Sequence, residues 1–305
     1  MKILLTGATG FLGRALAARL AADGHSLRAL TRNIQATQGR LPAGCAAFAW
    51  PEGGPVPPAA LDGVEGVAHL AGENIGAWPW TASRKRRALA SRVDGTRALV
   101  DAMGRMQARP RVFVSASAIG FYGDCGDRLM AEDAPAGSGF LAGVCKAWEA
   151  EAAKADALGV RTVSVRIGLV LGRGGALEKL APAFRLGGGT VFGSGRQWWS
   201  WINVEDVAGI FAHALATDSL SGPVNGAAPN PVPQRDFARA LARAVHRPLL
   251  WRVPAFALRL GLGEMAGTLL EGQRADGAKL AGSGYRFRYP ALDDALRAAL
   301  RPPAA

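Results

Sequence analysis

The chain has 305 residues, of which 49% are hydrophobic and 20% are charged. That size and composition predict a folded globular protein with a full hydrophobic core and exclude a disordered or fibrous chain. No apolar run approaches the roughly 20 residues that span a bilayer, and strand-like residues begin at Lys2, with no leader segment before them. The sequence therefore predicts a cytoplasmic protein with no membrane partner.

The formal net charge of +12 raises the question of nucleic-acid binding. The arginines are scattered, however, and only residues 84–87 (RKRR) form a run, which is more typical of a solvated helix face than of a phosphate-binding patch. Cys45, Cys125 and Cys145 are far apart with no CxxC pair, and the four histidines show no ligand spacing. We therefore predict no nucleic-acid partner, no disulfide and no metal.

The first half of the sequence alternates strand and helix patterns. Apolar runs at KILLTG, SLRALTR, GVAHLAG, RVFVSASAIG and RTVSVRIGLVLG predict strands. Helical patterns lie between them at FLGRALAARLAADG, SRKRRALASRVDGTRALVDAM and WEAEAAKADALG. In the first of these, Leu12, Leu16 and Leu20 share one face and Gly24 is the predicted stop. The alternation predicts an α/β fold with a doubly wound parallel sheet of the Rossmann type.

The texture of the sequence changes beyond about Gly172. Gly- and Pro-rich linkers, an aromatic cluster WWSW at 198–201 and predicted helices at 204–216 and 234–245 follow. We predict that residues 1–172 form the nucleotide-binding domain, to which a later stretch of about 200–230 returns. Residues 173–305 are predicted to form mainly a smaller substrate lobe with a C-terminal extension.

The first predicted strand is followed by GATGFLG, residues 7–13, which also opens the first helix. In a dinucleotide fingerprint Gly7 allows the tight turn, Gly10 lets the backbone approach a pyrophosphate, and Gly13 lets helix and strand pack closely. The phosphates would meet the unpaired N–H groups and the positive end of that helix. The loop therefore predicts a dinucleotide cofactor, held by Gly7, Thr9, Gly10, Phe11, Leu12 and Gly13.

The end of the second strand discriminates between the two nicotinamide nucleotides. An acidic residue there accepts hydrogen bonds from a free ribose 2′-hydroxyl and repels a 2′-phosphate. This chain has Thr31 and Arg32 at that place, and a guanidinium offers a fork of donors suited to a phosphate. The predicted cofactor is therefore NADP(H), and the alternative is that Arg32 is an ordinary surface arginine.

Further motifs follow in an order similar to that of the extended short-chain dehydrogenase/reductase family, the NAD(P)-dependent epimerases and dehydratases of nucleotide sugars. The resemblance spans nearly the whole chain, through HLAG (69–72), RVDGT (92–96), FVSASAIGFYG (113–123), RIGLVLG (166–172) and SWINVEDVA (200–208). A narrower resemblance, to the subgroup called epimerase family proteins, rests on HLAGENI, SRVDGT, SASAIGFYG and the C-terminal extension. The resemblance implies further cofactor contacts from Leu70, Ala71, Gly72, Arg92 and Arg166.

The resemblance also implies a catalytic set that this chain only partly contains. In the family a serine orients the substrate, a tyrosine transfers a proton, and a lysine four residues later lowers the pKa of that tyrosine. Ser117 matches the serine. In the stretch GFLAGVCKAWEAEA (139–152), one register puts Leu141 and Cys145 in the other two places, and another puts Ala142 and Lys146 there. Tyr122 is then the phenol near the expected site, as a substitute acid or as a packed aromatic.

Two functions remain open at this point. One is an NADP(H)-dependent oxidoreductase or epimerase-like activity on an unidentified small molecule, with Ser117 and Tyr122 as catalytic candidates. The other is a regulatory module, linked to cell division, that binds NADP(H) but has lost catalysis together with the tyrosine and lysine. Both are compatible with a monomer or a homodimer.

Overall fold

The computed structural model describes residues 1–37 and 39–301. Its strands are β1 (Lys2–Thr6), β2 (Ser26–Thr31), β3 (Ala46–Ala49), β4 (Gly66–His69), β5 (Val112–Ala118), β6 (Leu129–Met130), β7 (Arg161–Ile167), β8 (Leu169–Leu171), β9 (Thr190–Phe192), β10 (Trp198–Trp199), β11 (Trp201–Asn203), β12 (Gly222–Gly226), β13 (Val232–Pro233), β14 (Trp251–Val253) and β15 (Arg274–Ala275). Its helices are α1 (Phe11–Ala22), α2 (Pro58–Leu61), α3 (Ala82–Gly104), α4 (Phe140–Ala153), α5 (Ala176–Arg185), α6 (Val204–Ala216), α7 (Gln234–Ala244), α8 (Ala255–Leu262), α9 (Gly267–Leu270), α10 (Ala278–Gly282) and α11 (Leu292–Leu300).

Seven strands form one sheet in the order β12-β7-β5-β4-β1-β2-β3, and every neighbouring pair in it is parallel. The strand order reverses between β1 and β4, which is the switch point of a doubly wound sheet. The predicted Rossmann fold is confirmed. None of the helices in the described part of the chain is long and apolar enough to cross a membrane.

The sheet is buried on both faces because helices cover it from both sides. On one face Ile3 and Leu5 belong to a core cluster with side chains of α1 and α6, such as Leu16 and Phe211. On the other face Leu4 belongs to a cluster that α3 and α4 complete. Burial on both faces explains why the strand KILLT is a continuous apolar run instead of an alternating one.

Three details differ from the sequence prediction. Helix α4 begins at Phe140, eight residues before the predicted start, because Val144, Trp148 and Ala152 bury one continuous face. The predicted strand over 161–172 is two strands, separated at Gly168, where a Cβ would lie 2.6 Å from the Ser200 carbonyl oxygen. Strand β3 has the weakly strand-forming sequence AAFA, which gave no signal, and it is ordered by pairing with β2.

A second core lies in the C-terminal half of the chain. It is built mainly from side chains of β9 to β11 and of helices α5, α7 and α11, among them Trp199, Trp201 and Phe237. Strand β12 leaves this half and joins the edge of the large sheet beside β7. The proposed domain limits at residues 172 and 173 stay a prediction.

The last segment of the chain is tied to the start of α6 by a buried carboxylate. Asp206 is 1% exposed and accepts hydrogen bonds from the Tyr285 hydroxyl at 3.0 Å and from the backbone N–H groups of Arg288 and Tyr289 at 2.7 and 3.0 Å. Burial, together with the neighbouring carboxylate of Asp206, raises the pKa of Tyr285. Residues 284–289 are thereby held against α6.

Candidate cofactor and active site

The loop between β1 and α1 is shaped by its glycines. Gly7 has a φ of +67°, and a Cβ there would lie 2.8 Å from the Leu70 carbonyl carbon. A Cβ at Gly13 would collide with the Gly7 carbonyl oxygen and lie 2.7 Å from the Ala8 Cα. The loop therefore needs both residues to be glycine, because β1, α1 and the chain after β4 all meet here.

The first turn of α1 offers donors with no protein acceptor. Gly10 caps the helix without a side-chain hydrogen bond, and its own N–H bonds to the Gly7 carbonyl at 3.0 Å. The N–H groups of Phe11, Leu12 and Gly13 have no acceptor among the described residues. Gly10 is exposed, and Thr9 and Leu12 are partly exposed. This geometry fits a pyrophosphate, whose oxygens would satisfy the free donors at the positive end of the helix.

The ring of Phe11 reaches from this loop to the C-terminal half of the chain. Cβ atoms at Gly172 and Gly175 would lie 2.8 and 2.9 Å from atoms of that ring, and one at Gly174 would lie 3.1 Å from it. The Phe11 ring therefore packs against the backbone of the glycines after β8, where side chains would leave no room for it. Through this contact the loop that fits the pyrophosphate is packed directly against the segment that follows β8.

A buried chain of hydrogen bonds positions the backbone after β4. Thr6 Oγ1 accepts from the N–H groups of Leu70 and Ala71 at 3.1 Å each and lies 2.6 Å from His69 Nδ1. Nε2 of His69 lies 3.1 Å from the Thr96 hydroxyl, which itself donates to the Arg92 carbonyl at 2.6 Å. The Thr96 hydroxyl donates its hydrogen to that carbonyl, so it can only accept from His69. His69 Nε2 therefore carries the hydrogen, and Nδ1 accepts from the Thr6 hydroxyl.

His69 is fully buried, and burial together with the nearby Arg92 charge lowers its pKa to about 3. The ring is therefore neutral. From its place in β4 it is a fixed spacer that contacts β1 through Thr6 and α3 through Thr96. Leu70, Ala71 and Gly72, the predicted cofactor contacts, form the backbone that this spacer holds in place.

Arg32 follows β2, so it lies at the carboxyl ends of the strands, as do residues 70–72. Its side chain is 81% exposed, and its guanidinium lies 3.8 Å from the Glu52 carboxylate, a pair too exposed to hold it firmly. The hydroxyl of Thr31 donates to the Asn33 carbonyl at 3.1 Å. Arg32 is thus free to turn toward a ligand lying over β2, and no acidic residue ends the strand.

Arg92 projects from α3 toward Gly72. Its NH1 donates to the Glu73 and Ala88 carbonyls at 3.1 and 3.0 Å, and its guanidinium stacks over the Trp148 ring at 5.0 Å. A Cβ on Gly72 would lie 3.0 Å from the guanidinium carbon. Burial lowers the pKa of Arg92. The structure therefore brings Arg92 to the carboxyl end of β4, and its contact with the cofactor stays a prediction.

Ser117 lies near the end of β5 and is 3% exposed. Its hydroxyl donates to Glu149 Oε1 on α4 at 2.6 Å, a charge-assisted hydrogen bond. Glu149 is held in turn by a bidentate ion pair with Arg166, with Nε–Oε1 at 2.9 Å and NH2–Oε2 at 2.8 Å. Because the serine proton points at the carboxylate, the serine oxygen can only accept a further hydrogen bond, and the buried Cys145 thiol lies beside it.

Tyr122 and Arg166 complete a buried network behind Ser117. NH1 of Arg166 donates to the Tyr122 hydroxyl at 2.9 Å and to the Glu132 carbonyl at 3.0 Å. The hydroxyl of Tyr122, in a side chain only 1% exposed, donates to Asn225 Oδ1 at 2.7 Å. Burial raises the pKa of Tyr122. Arg166 was predicted to contact the cofactor, but its guanidinium is directed at these protein groups.

Helix α4 carries buried and inert groups where the family has tyrosine and lysine. Cys145 is 4% exposed, and burial together with the Glu149 charge raises its pKa to about 11, so its thiol stays protonated. Leu141 is partly buried, Ala142 is buried and Lys146 is exposed. Neither register of this helix therefore presents a titrating pair toward the end of β5.

Three residues of the site were not predicted from the sequence. His69 links Thr6 to Thr96, Glu149 accepts from Ser117, and Asn225 accepts from Tyr122. A signal for Glu149 existed, because an arginine inside a central strand requires a carboxylate, and Glu149 lies one helical turn after the buried Cys145. Among the described residues there is no group of three or more His, Cys, Asp or Glu side chains that could hold a metal.

The profile of the NAD dependent epimerase/dehydratase family matches residues 3–225, and a domain of unknown function, DUF1731, matches residues 253–299. The chain is 38% identical over 298 residues to the epimerase family protein YfhF of Bacillus subtilis, covering 97% of both chains. It is 38% identical over 311 residues to the chloroplastic epimerase family protein SDR39U1 homolog of Arabidopsis thaliana, covering 99% of this chain and 87% of that one.

A solved structure agrees with these relationships. The human epimerase family protein SDR39U1, crystallised with NADPH, superposes with a TM-score of 0.86 at 30% sequence identity, over 98% of this chain and 99% of that chain. Sequence, topology and the glycine loop thus agree over nearly the whole length. This chain belongs to the NAD dependent epimerase/dehydratase family, is similar to the epimerase family proteins over nearly its whole length, and matches DUF1731 in its C-terminal extension.

Proposed function

We propose that this protein binds NADP(H) in the crevice at the carboxyl ends of β1, β4 and β5 and transfers hydride between that cofactor and a small molecule. The observation that carries the proposal is the loop at 7–13, whose glycines leave room for a pyrophosphate in front of three unpaired N–H groups. The exposed Arg32 supports NADP(H) over NAD(H). The NADPH in the human relative supports the same choice.

NADP(H), when bound, supplies the hydride chemistry, and the protein provides binding and orientation. In this proposal Arg32 holds the 2′-phosphate, the backbone of Leu70, Ala71 and Gly72 lines the crevice, and Arg92 faces the nicotinamide half. Ser117 offers its oxygen as an acceptor to a substrate hydroxyl, while Glu149 fixes the direction of the serine's own proton. Arg166 and Tyr122 act as positioning residues behind Ser117.

The wider setting is proposed from the same chain. The three cysteines are free thiols, which supports a reducing, cytoplasmic location. Many of the arginines are engaged in ion pairs and carbonyl contacts scattered over the surface, which supports a small-molecule ligand and not a nucleic acid. We propose a monomer or homodimer.

Replacing Arg32 with alanine tests the cofactor. We expect the Kd of NADPH to rise about tenfold and that of NADH to stay within about twofold, because only NADPH loses a charge-assisted contact to its 2′-phosphate. Isothermal titration measures both constants. Arg111→Ala is the matched control, since the Arg111 side chain is also exposed, at 70%, but precedes β5, at the amino ends of the strands. Equal losses for both nucleotides would show that Arg32 does not read the phosphate.

A second candidate is a module that binds NADP(H) without turnover, and the buried, hydrogen-bonded Tyr122 and the inert Cys145 favour it. The absorbance of NADPH in the presence of carbonyl compounds and nucleotide sugars separates the two. Turnover by the wild type that disappears in Ser117→Ala supports the enzyme. Tight binding with no turnover across the panel supports the module.

A further inference from the structure

Arg92 introduces a positive charge on one particular side of the crevice. It lies beside Gly72, after β4, and β4 and β5 stand across the switch point from β1 and β2. Each half of a doubly wound sheet serves one mononucleotide, and the ribose that carries a 2′-phosphate sits at the end of the second strand. Arg32 therefore belongs to the adenine half of the site, and Arg92 belongs to the nicotinamide half.

The nearest carboxylates do not pair with this charge. Arg92 donates to the backbone carbonyl of Glu73, while the carboxylate of Glu73 turns to Arg87, with 3.3 Å between Nε and Oε2. The Glu73 carboxylate forms no ion pair with Arg92, but its charge lies near enough to raise the pKa of Arg92 against the lowering caused by burial. Glu149, on the neighbouring helix, is bound bidentately by Arg166. Within residues 1–37 and 39–301, no carboxylate forms an ion pair with Arg92.

Two other titratable groups beside Arg92, Cys145 and His69, are neutral. Cys145 keeps its proton because burial raises its pKa to about 11. His69 is neutral because burial and Arg92 itself lower its pKa to about 3. The guanidinium is also held in place, by two carbonyls and by the ring of Trp148. The corner beside Gly72 thus carries a fixed positive charge that the nearby Glu73 carboxylate offsets only from a distance, without an ion pair.

Such a charge distinguishes the two oxidation states of the cofactor. The nicotinamide ring of NADP⁺ is a cation, whereas the dihydronicotinamide ring of NADPH is neutral. A fixed cation in a partly desolvated site therefore raises the free energy of bound NADP⁺ and leaves that of NADPH nearly unchanged. Both states carry the same phosphates, so contacts to the adenine half cannot produce this difference.

We propose that Arg92 makes this site select NADPH over NADP⁺, so that the protein works as a reductase of its small molecule. The inference rests on the proposed NADP(H) site and deepens it. In that direction a hydride leaves C4 of NADPH and forms a C–H bond at a carbonyl carbon. The π electrons of the carbonyl move to its oxygen, which takes a proton from solvent, and NADP⁺ is released from a site that repels it.

The test compares the Kd of NADPH with that of NADP⁺, measured by isothermal titration at fixed ionic strength. We expect the wild type to bind NADP⁺ at least about fivefold more weakly than NADPH. Arg92→Gln removes the charge but keeps donors for the Glu73 and Ala88 carbonyls. The ratio of the Kd of NADP⁺ to the Kd of NADPH should then fall to within about twofold of unity. Arg92→Lys keeps the charge and should keep most of the preference.

Two controls locate the effect. The fragment 2′,5′-ADP, which lacks the nicotinamide, should bind the wild type and Arg92→Gln equally. Arg97→Gln removes a charge from the exposed face of the same helix, where Arg97 pairs with Glu151, and should leave the ratio unchanged. Circular dichroism checks the fold, and Arg92→Met serves as a second charge-removing variant if the glutamine does not fold.

If the wild type binds NADP⁺ as tightly as NADPH or more tightly, the inference is overturned without any variant. It is also overturned if Arg92→Gln or Arg92→Met keeps the wild-type ratio of the two Kd values. Tight binding of both nucleotides with equal affinity contradicts this inference alone. A wild type that binds neither nucleotide overturns the proposed function and this inference with it.

Discussion

Tyr122 carries its hydroxyl into the interior, where Asn225 and Arg166 take up its donor and acceptor positions. A phenol in that setting has no free position toward a ligand, and burial raises its pKa, which keeps it protonated at neutral pH. The sequence left two roles open for this residue. The geometry favours the packed aromatic, with the hydroxyl joining β7, β12 and the turn after β5.

Replacing Tyr122 with phenylalanine tests that role. The change leaves Asn225 Oδ1 without its donor in a fully buried place, so we expect the free energy of unfolding to fall by about 1–3 kcal/mol. Urea denaturation measures the loss, and the Kd of NADPH should stay within about twofold of the wild type, because the phenol touches no part of the crevice. Unchanged stability with abolished hydride transfer would return Tyr122 to the catalytic set.

The residues of the site differ in how far sequence alone reveals them. The glycines at 7, 10 and 13 are visible because their function depends on local backbone geometry, which neighbouring residues encode. Glu149 and Asn225 are not, because each acquires its role from a partner, Ser117 or Tyr122, that is distant in sequence. His69 shows no ligand spacing for the same reason: its contacts are Thr6 and Thr96.

At the scale of elements, the approach of α1 to β1 decides whether a phosphate can reach the helix. Gly13→Ala places a methyl group against the Gly7 carbonyl, so α1 must move away from the loop. We expect NADPH affinity to fall at least about tenfold, with a loss of stability of about 1–3 kcal/mol. Titration and urea denaturation give the two numbers.

Gly143→Ala is the matched control for this prediction. It makes the same change inside α4, where a Cβ meets nothing within 4 Å. We expect a gain of up to about 1 kcal/mol, since alanine is the better helix former, and no change in cofactor binding. If Gly13→Ala bound NADPH as tightly as Gly143→Ala does, close packing of α1 on β1 would not be needed for the site.

Element boundaries were predictable where a helix has one clear apolar face. The predicted helix at 204–216 and α6 coincide, and α3 and α7 lie within one residue of their predicted limits. The start of α4 was missed because GFLAGVC contains two glycines, Gly139 and Gly143, which are typical of a loop. Gly139, with a φ of +93°, precedes the helix, whereas burial against β5 and β7 makes the stretch from Phe140 helical. Tertiary packing overrode local propensity there.

For the whole molecule, the C-terminal extension is held to α6 by Asp206, whose carboxylate replaces the water that three donors would otherwise bind. Asp206→Asn offers those donors an N–H group in place of one oxygen, so we expect the free energy of unfolding to fall by about 2–4 kcal/mol. Glu205→Gln, next to it but exposed and paired with the exposed Arg288, should cost less than about 1 kcal/mol. Equal losses in urea denaturation would contradict the role of Asp206.

The network behind Ser117 draws its parts from residues 117 to 276, about half of the chain. Tyr122 bonds to Asn225, and Asn225 donates in turn to the backbone carbonyls of Met130 and Asp276. On the ribosome, the glycine loop is made more than 250 residues before Asp276, with roughly 5–20 residues added per second. The nascent protein therefore carries its nucleotide loop for many seconds before the groups that hold the substrate side are made, so an unfinished chain cannot assemble the complete site.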